Sequence, residues 1–108
     1  VITVRLFTTE AGVIYGFSAN SHGSGIVCAA VSILVQNAVN SIERFTDGRF
    51  SCDYAETGGR LRFEHEDLKN GEPSRDAALL LNSMALGLSG IRDEYKGELK
   101  IITEVSHD

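Results

Sequence analysis

From Val1 to Phe7 apolar and polar positions alternate: Ile2, Val4 and Leu6 share one face, and Thr3, Arg5 and Phe7 the other. A period of two predicts a half-buried strand. Glu10-Ala11-Gly12 supplies a turn, and Val13 to Asn20 returns with Val13, Tyr15, Phe17 and Ala19 aligned, so the pair reads as a hairpin. Asn20 to Gly25 has the composition of a loop. The period then lengthens. Val27, Val31, Leu34, Ala38, Ile42 and Phe45 recur every three or four residues and predict an amphipathic helix, capped by Ser24 and ending before Asp47-Gly48.

Phe50 to Glu56 and Arg60 to Glu66 alternate around Thr57-Gly58-Gly59 and predict a second hairpin. Asn70-Gly71 and Pro73 break the chain. A second helix opens at Pro73 or Ser74, with Ala77, Leu80, Met84, Leu88, Ile91 and Tyr95 as its buried stripe and Gly97 closing it. Leu99, Ile101, Thr103 and Val105 form a last strand. The order ββαββαβ predicts an α+β, two-layer sandwich: a five-stranded, mostly antiparallel sheet with two helices on one face. At 108 residues, with no internal repeat or linker, the expectation is one domain over residues 1–108, small enough to gain from dimerisation.

A formal charge of −5 without a Lys/Arg cluster argues against nucleic-acid binding, which needs a basic stripe, and suits a basic protein partner. Cys28 and Cys52 have neither metal-ligand spacing nor the look of a disulfide framework, which points to a reducing compartment. With no signal peptide and no apolar run of 18 residues, a soluble, cytoplasmic protein without membrane contact is expected.

The candidate chemistry lies in Ser21-His22-Gly23-Ser24-Gly25-Ile26-Val27-Cys28. A thiol attacks as thiolate, and a helix N-terminus and a neighbouring imidazolium both favour that form. Cys28 sits in the first predicted helical turn, six residues after His22. This is the pattern of a Cys-His nucleophilic site, with His22 as base and then acid, and the amides from Gly25 to Cys28 as oxyanion donors. A buried core thiol and a surface histidine are the plain alternatives. Ser32 reaches either the sulfur or the imidazole, or bonds back to the carbonyl of Cys28. Gln36 and Asn40 continue the same flank, by fours, and read as structural or interfacial. Cys52 reads as core packing. Glu64-His65-Glu66-Asp67 reads as a solvated strand end, and His107 as tail. His22 and Cys28 lack third and fourth ligands for a metal, and no cofactor is implied.

Gly16-Phe17, His22-Gly23 and the run Ile26-Val27-Cys28-Ala29-Ala30-Val31-Ser32, with Gln36 and Asn40 behind it, resemble the bacterial ribosomal-processing cysteine protease family, Prp. The resemblance implies a homodimer that cleaves the N-terminal extension of large-subunit ribosomal protein number twenty-seven, after an aromatic residue. It implies Cys28 and His22 as the catalytic pair and Ser32 as a recurring site residue; Ser24, Gly25 and Gln36 are the further candidates for support or substrate contact. Two departures stand out. Ser21 replaces the family's usual glycine before the histidine, and the loop from Gly23 to Val27 is short, with Gly25 where an aspartate is usual. A non-catalytic module holding a peptide or assisting ribosome assembly is the rival expectation, and a redox-sensing Cys28 a third.

Overall fold

The computed structural model describes residues 1–20, 25–55 and 60–106. In chain order these form β1 (Ile2–Thr8), β2 (Ile14–Asn20), α1 (Ile26–Phe45), β3 (Phe50–Tyr54), β4 (Arg60–His65), α2 (Glu66–Lys69), α3 (Arg75–Glu94) and β5 (Leu99–Val105). The sheet order is β3-β4-β2-β1-β5. Only β1 and β5 pair in parallel; the other neighbours are antiparallel. This is the expected α+β sandwich, with one short helix added.

Register carries the alternation across the whole sheet. Leu6 pairs with Phe17, Phe17 with Phe63 and Phe63 with Cys52; one layer up, Val4, Ala19, Leu61 and Tyr54 line up in the same way. Side chains of paired residues share a face, so a single apolar face results, and α1 and α3 lie side by side upon it. Phe17 and Phe63 are both fully buried, with ring centroids 5.7 Å apart, and Phe50 adds a third ring 5.4 Å from Phe63.

The buried stripe of α1 is Val27, Val31, Val35, Ala38, Val39 and Ile42. Leu34 and Phe45, expected within it, depart for different reasons. Leu34 is half-buried on the flank where α3 crosses, its side chain against Gly87. Phe45 is 71% exposed: a 20-residue helix is about 30 Å long, more than strands of five to seven residues can underlie, so its last turn overhangs the sheet. In α3 the buried line is Ala77, Leu81, Met84 and Leu88; Leu80, Ile91 and Tyr95 are half-buried beside it. By length and composition α1 is apolar enough to cross a membrane. Here six of its residues enter the core.

The strand end around His65 corrects the expectation most. His65 is solvent-inaccessible, and its Nδ1 accepts the Leu68 N–H at 3.3 Å, which makes it the cap of α2. Its Nε2 has no hydrogen-bond partner. The ring closes over Gly48, where a Cβ would stand 3.1 Å from Nε2 and 2.9 Å from an Asp67 carboxylate oxygen. Gly48 has φ 115°, so both conformation and space require glycine there. Acidic neighbours in the sequence disguised a histidine that folds inward to satisfy a helix N-terminus. Burial pushes its imidazole below the ordinary histidine value, and Asp67 only partly offsets this. The folded state therefore binds fewer protons than the unfolded chain. Stability is complete above the unfolded value of about 6.5 and declines as pH falls below it. Denaturant titrations at pH 7.5 and 5.5 should show this loss, with a smaller one in His65→Gln.

On the opposite sheet face, Arg5 meets Glu104 at 2.9 Å and Lys69 meets Glu64 at 2.9 Å. Partial burial pushes the Glu64 carboxyl up, but Lys69 and Arg62 outweigh it and hold the group below its usual range. The Arg62 guanidinium covers the Phe7 ring at 4.7 Å, which shields an aromatic residue on an otherwise polar face.

Candidate active site

β2 ends at Asn20, the register partner of Arg60 at the start of β4. Residues 21–24 lead from there to Gly25, the N-cap of α1, with φ 87° and ψ −156°. That region of backbone space is essentially reserved for glycine. The helix thus starts one residue later than the Ser24 cap expected from sequence. Ser24 itself lies outside the described residues, as do His22 and His107.

The Gly25 carbonyl accepts the Ala29 N–H at 3.2 Å, the first bond of the helix. The N–H groups of Ile26, Val27 and Cys28 therefore have no carbonyl within the helix to meet. No acidic side chain occupies this turn. A group seated here meets the positive end of a 20-residue helix. Gly25→Ala forces an L side chain into this conformation, at a cost of about 1–3 kcal/mol. A lowered Tm relative to the parent protein is the expected reading.

Cys28 is half-buried between the buried Val27 and Val31. Ser32, one turn on, is also half-buried, whereas Gln36 and Asn40 are exposed. The row predicted from four-residue steps thus passes from the edge of the core out into solvent. Cys28 lies about 120° around the helix from Leu34. Leu34 faces α3, and α3 packs over β2 and β5. The Cys28 flank therefore turns to the other side, toward β3.

Cys52 on β3 is half-buried at the margin of the core. Burial pushes its thiol up, opposed by a hydrogen bond from the Tyr54 hydroxyl and reinforced by the carboxylates of Asp53 and Glu43. Such a sulfur stays protonated and is a poor nucleophile. Of the two cysteines, Cys28 alone stands in the first turn of a helix. Tyr54, which the alternation from Phe50 to Glu56 places on one face with Phe50 and Cys52, is 63% exposed. Its place at the last position of β3 is what frees the ring. Among the described residues, no group of three or more His, Cys, Asp or Glu side chains could hold a metal ion. An apolar cleft of about 370 Å³, lined in part by Thr9, Val13, Leu68, Pro73 and Ala78, lies at the opposite end of the sheet from the start of α1.

The family model for "Cysteine protease Prp" matches residues 1–100. The ribosomal processing cysteine protease Prp of Bacillus subtilis (strain 168) is 32% identical over 84 residues, covering 78% of this chain and 75% of that protein. The Staphylococcus aureus (strain Mu50) enzyme of the same name is 28% identical over 107 residues, covering 94% and 97%. A crystal structure of the essential ribosomal processing protease Prp from S. aureus, with a covalently linked product peptide, superposes with a TM-score of 0.84 at 27% identity, covering 96% of this chain and all of that one. A second, with a substrate peptide, shares the fold at a TM-score of 0.83 and 24% identity, with the same coverage. Matched over nearly its whole length, the chain belongs to the cysteine protease Prp family and is a cysteine protease of ribosomal protein processing.

Proposed function

We propose that this protein removes the N-terminal extension of large-subunit ribosomal protein number twenty-seven, with Cys28 as nucleophile and His22 as its partner. One observation carries the reading. In a chain of this family, Cys28 stands in the first turn of α1 behind a glycine cap, among amides that have no helical acceptor. The Cys28 sulfur, its proton passed to His22, adds to the scissile carbonyl and forms a C–S bond. The oxygen that gains charge is held by the N–H groups of Ile26 to Cys28. Protonated His22 gives its proton to the leaving amine as the C–N bond breaks. Water, deprotonated by His22, then cleaves the thioester, and the proton returns to the sulfur as it leaves.

In this reading Ser32 orients the sulfur or the imidazole. Ser24 and Gly25 shape the approach to the helix start, and Gln36 contacts the peptide farther along the flank. The reaction needs no metal or cofactor. An acidic homodimer working in the cytoplasm, without nucleic acid or membrane, suits a basic ribosomal precursor. The test is incubation of the purified protein with that precursor, followed by mass spectrometry. Release of the extension as a discrete fragment is expected. A stable complex holding intact precursor would instead establish a non-catalytic binding module.

A further inference from the structure

The side chain that caps α2 is also one that titrates. His65 ends β4, and its Nδ1 accepts the Leu68 N–H at 3.3 Å. A ring nitrogen that accepts carries no proton, so the neutral imidazole keeps its proton on Nε2, the atom over Gly48. An imidazolium carries a proton on both nitrogens and accepts nothing. The cap and the charged ring therefore exclude one another. No water reaches the ring where it sits, since His65 is fully buried, so charging it in place is costly as well.

Of the charged groups around the ring, Asp67 on α2 favours the imidazolium, though less than burial opposes it. Asp47 and Arg49, on either side of Gly48, are exposed, as is Glu66. Glu64 belongs to the opposite sheet face, where Lys69 and Arg62 hold it. β3 offers the uncharged Phe50 as register partner, and β2 carries no acidic or basic side chain.

Much hangs from this one cap. A helix of four residues has no stability of its own. The Asn70 N–H bonds to the Glu66 carbonyl at 3.0 Å, the Gly71 N–H to Leu68 at 3.2 Å and the Glu72 N–H to Asp67 at 2.8 Å, so the segment is knitted to itself. Its ties to the sheet are the Glu66 N–H, 2.8 Å from the Arg49 carbonyl, and the buried side chain of Leu68. Leu68, Gly71, Glu72 and Pro73 also form one wall of the 370 Å³ apolar cleft.

We infer that α2 is an acid-operated latch: a second ring proton on His65 removes the cap, and the segment from Glu66 to Glu72 lifts from the sheet as a unit, uncovering Leu68 and opening the cleft. This is a discrete local opening, with the strands behind it still paired. It stands apart from the protease reading, because the start of α1 lies at the other end of the sheet.

The experiment is amide hydrogen exchange by NMR on the whole chain, at pH 7.5 and 5.5 and at several low urea concentrations. The amides of Leu68, Asn70, Gly71 and Glu72 are expected to open more readily than those of Phe17 and Phe63, and with little dependence on urea, as a local opening does. One proton taken up at an ordinary imidazole value near 6.5 raises an opening constant by at most about tenfold between these pH values. A rise of about five- to tenfold is expected for the segment, and none in His65→Gln, whose amide oxygen can still accept from Leu68 but does not titrate. Ring ¹⁵N spectra of the parent protein at pH 7.5 should show the proton of His65 on Nε2. A proton on Nδ1 overturns the proposal, as does a urea dependence equal to that of Phe17 and Phe63, which would mean that the segment opens only with the whole domain. Persistence of the pH step in His65→Gln overturns it too. Should that variant fail to fold, the ring spectrum and the urea dependence of the parent decide the matter by themselves.

Discussion

Cys28→Ala is expected to lose at least about 10⁴-fold in kcat while still binding the precursor. Removing the nucleophile from a covalent mechanism leaves only the oxyanion donors and substrate binding, and nucleophile deletions in proteases cost on that scale. The fold should tolerate the change. Cys28 is half-buried at the margin of the core, and alanine is a better helix former than cysteine. Tm is therefore expected to stay within a few degrees of the parent. Separation of the two effects is the informative part: lost turnover with retained melting and retained affinity. His22→Ala should give a similar loss of kcat. Normal turnover by Cys28→Ala would end the thiol mechanism, whatever the peptide does.

The largest loss of stability is expected from Phe63→Ala. Phe63 is fully buried in the cross-strand row between Phe17 and Cys52, with the rings of Phe17 and Phe50 at 5.7 Å and 5.4 Å on either side. Truncation removes the transfer free energy of a benzyl group and leaves a cavity. Two flanking aromatics on different strands cannot collapse into it. Such substitutions cost about 3–5 kcal/mol, a third or more of the stability of an ordinary domain. Urea unfolding should show the midpoint falling sharply with little change in slope. Phe50→Ala, at the half-buried edge of the same cluster, should cost clearly less. Equal losses at the two sites would show that β3 is as tightly held as the centre of the sheet.

The response to acid is smaller and has a distinct origin. His65 sits where the sequence offers four consecutive ionisable residues, and only its side chain turns inward. Alternation does place it in line with Leu61 and Phe63, so the burial was legible. The acidic neighbours argued the other way. What composition could not reveal is that the chain stops being a strand at that residue, and that a helix of four residues needs a cap within reach.

Local pattern determined the strands, the two long helices, their order and the fold class, because side-chain period follows from backbone geometry and needs no partner. It also determined the candidate cysteine, since one helix start lies behind one glycine-rich corner. Tertiary structure alone decided the rest. Whether Leu34 or Val35 is buried depends on where α3 crosses; Phe45 overhangs because a 20-residue helix is longer than the strands of five to seven residues beneath it. Which cysteine sits at a helix start and which is held protonated depends on neighbours distant in sequence. That β3 lies outermost among the described strands follows, too, from long-range pairing, and no window of residues contains that information.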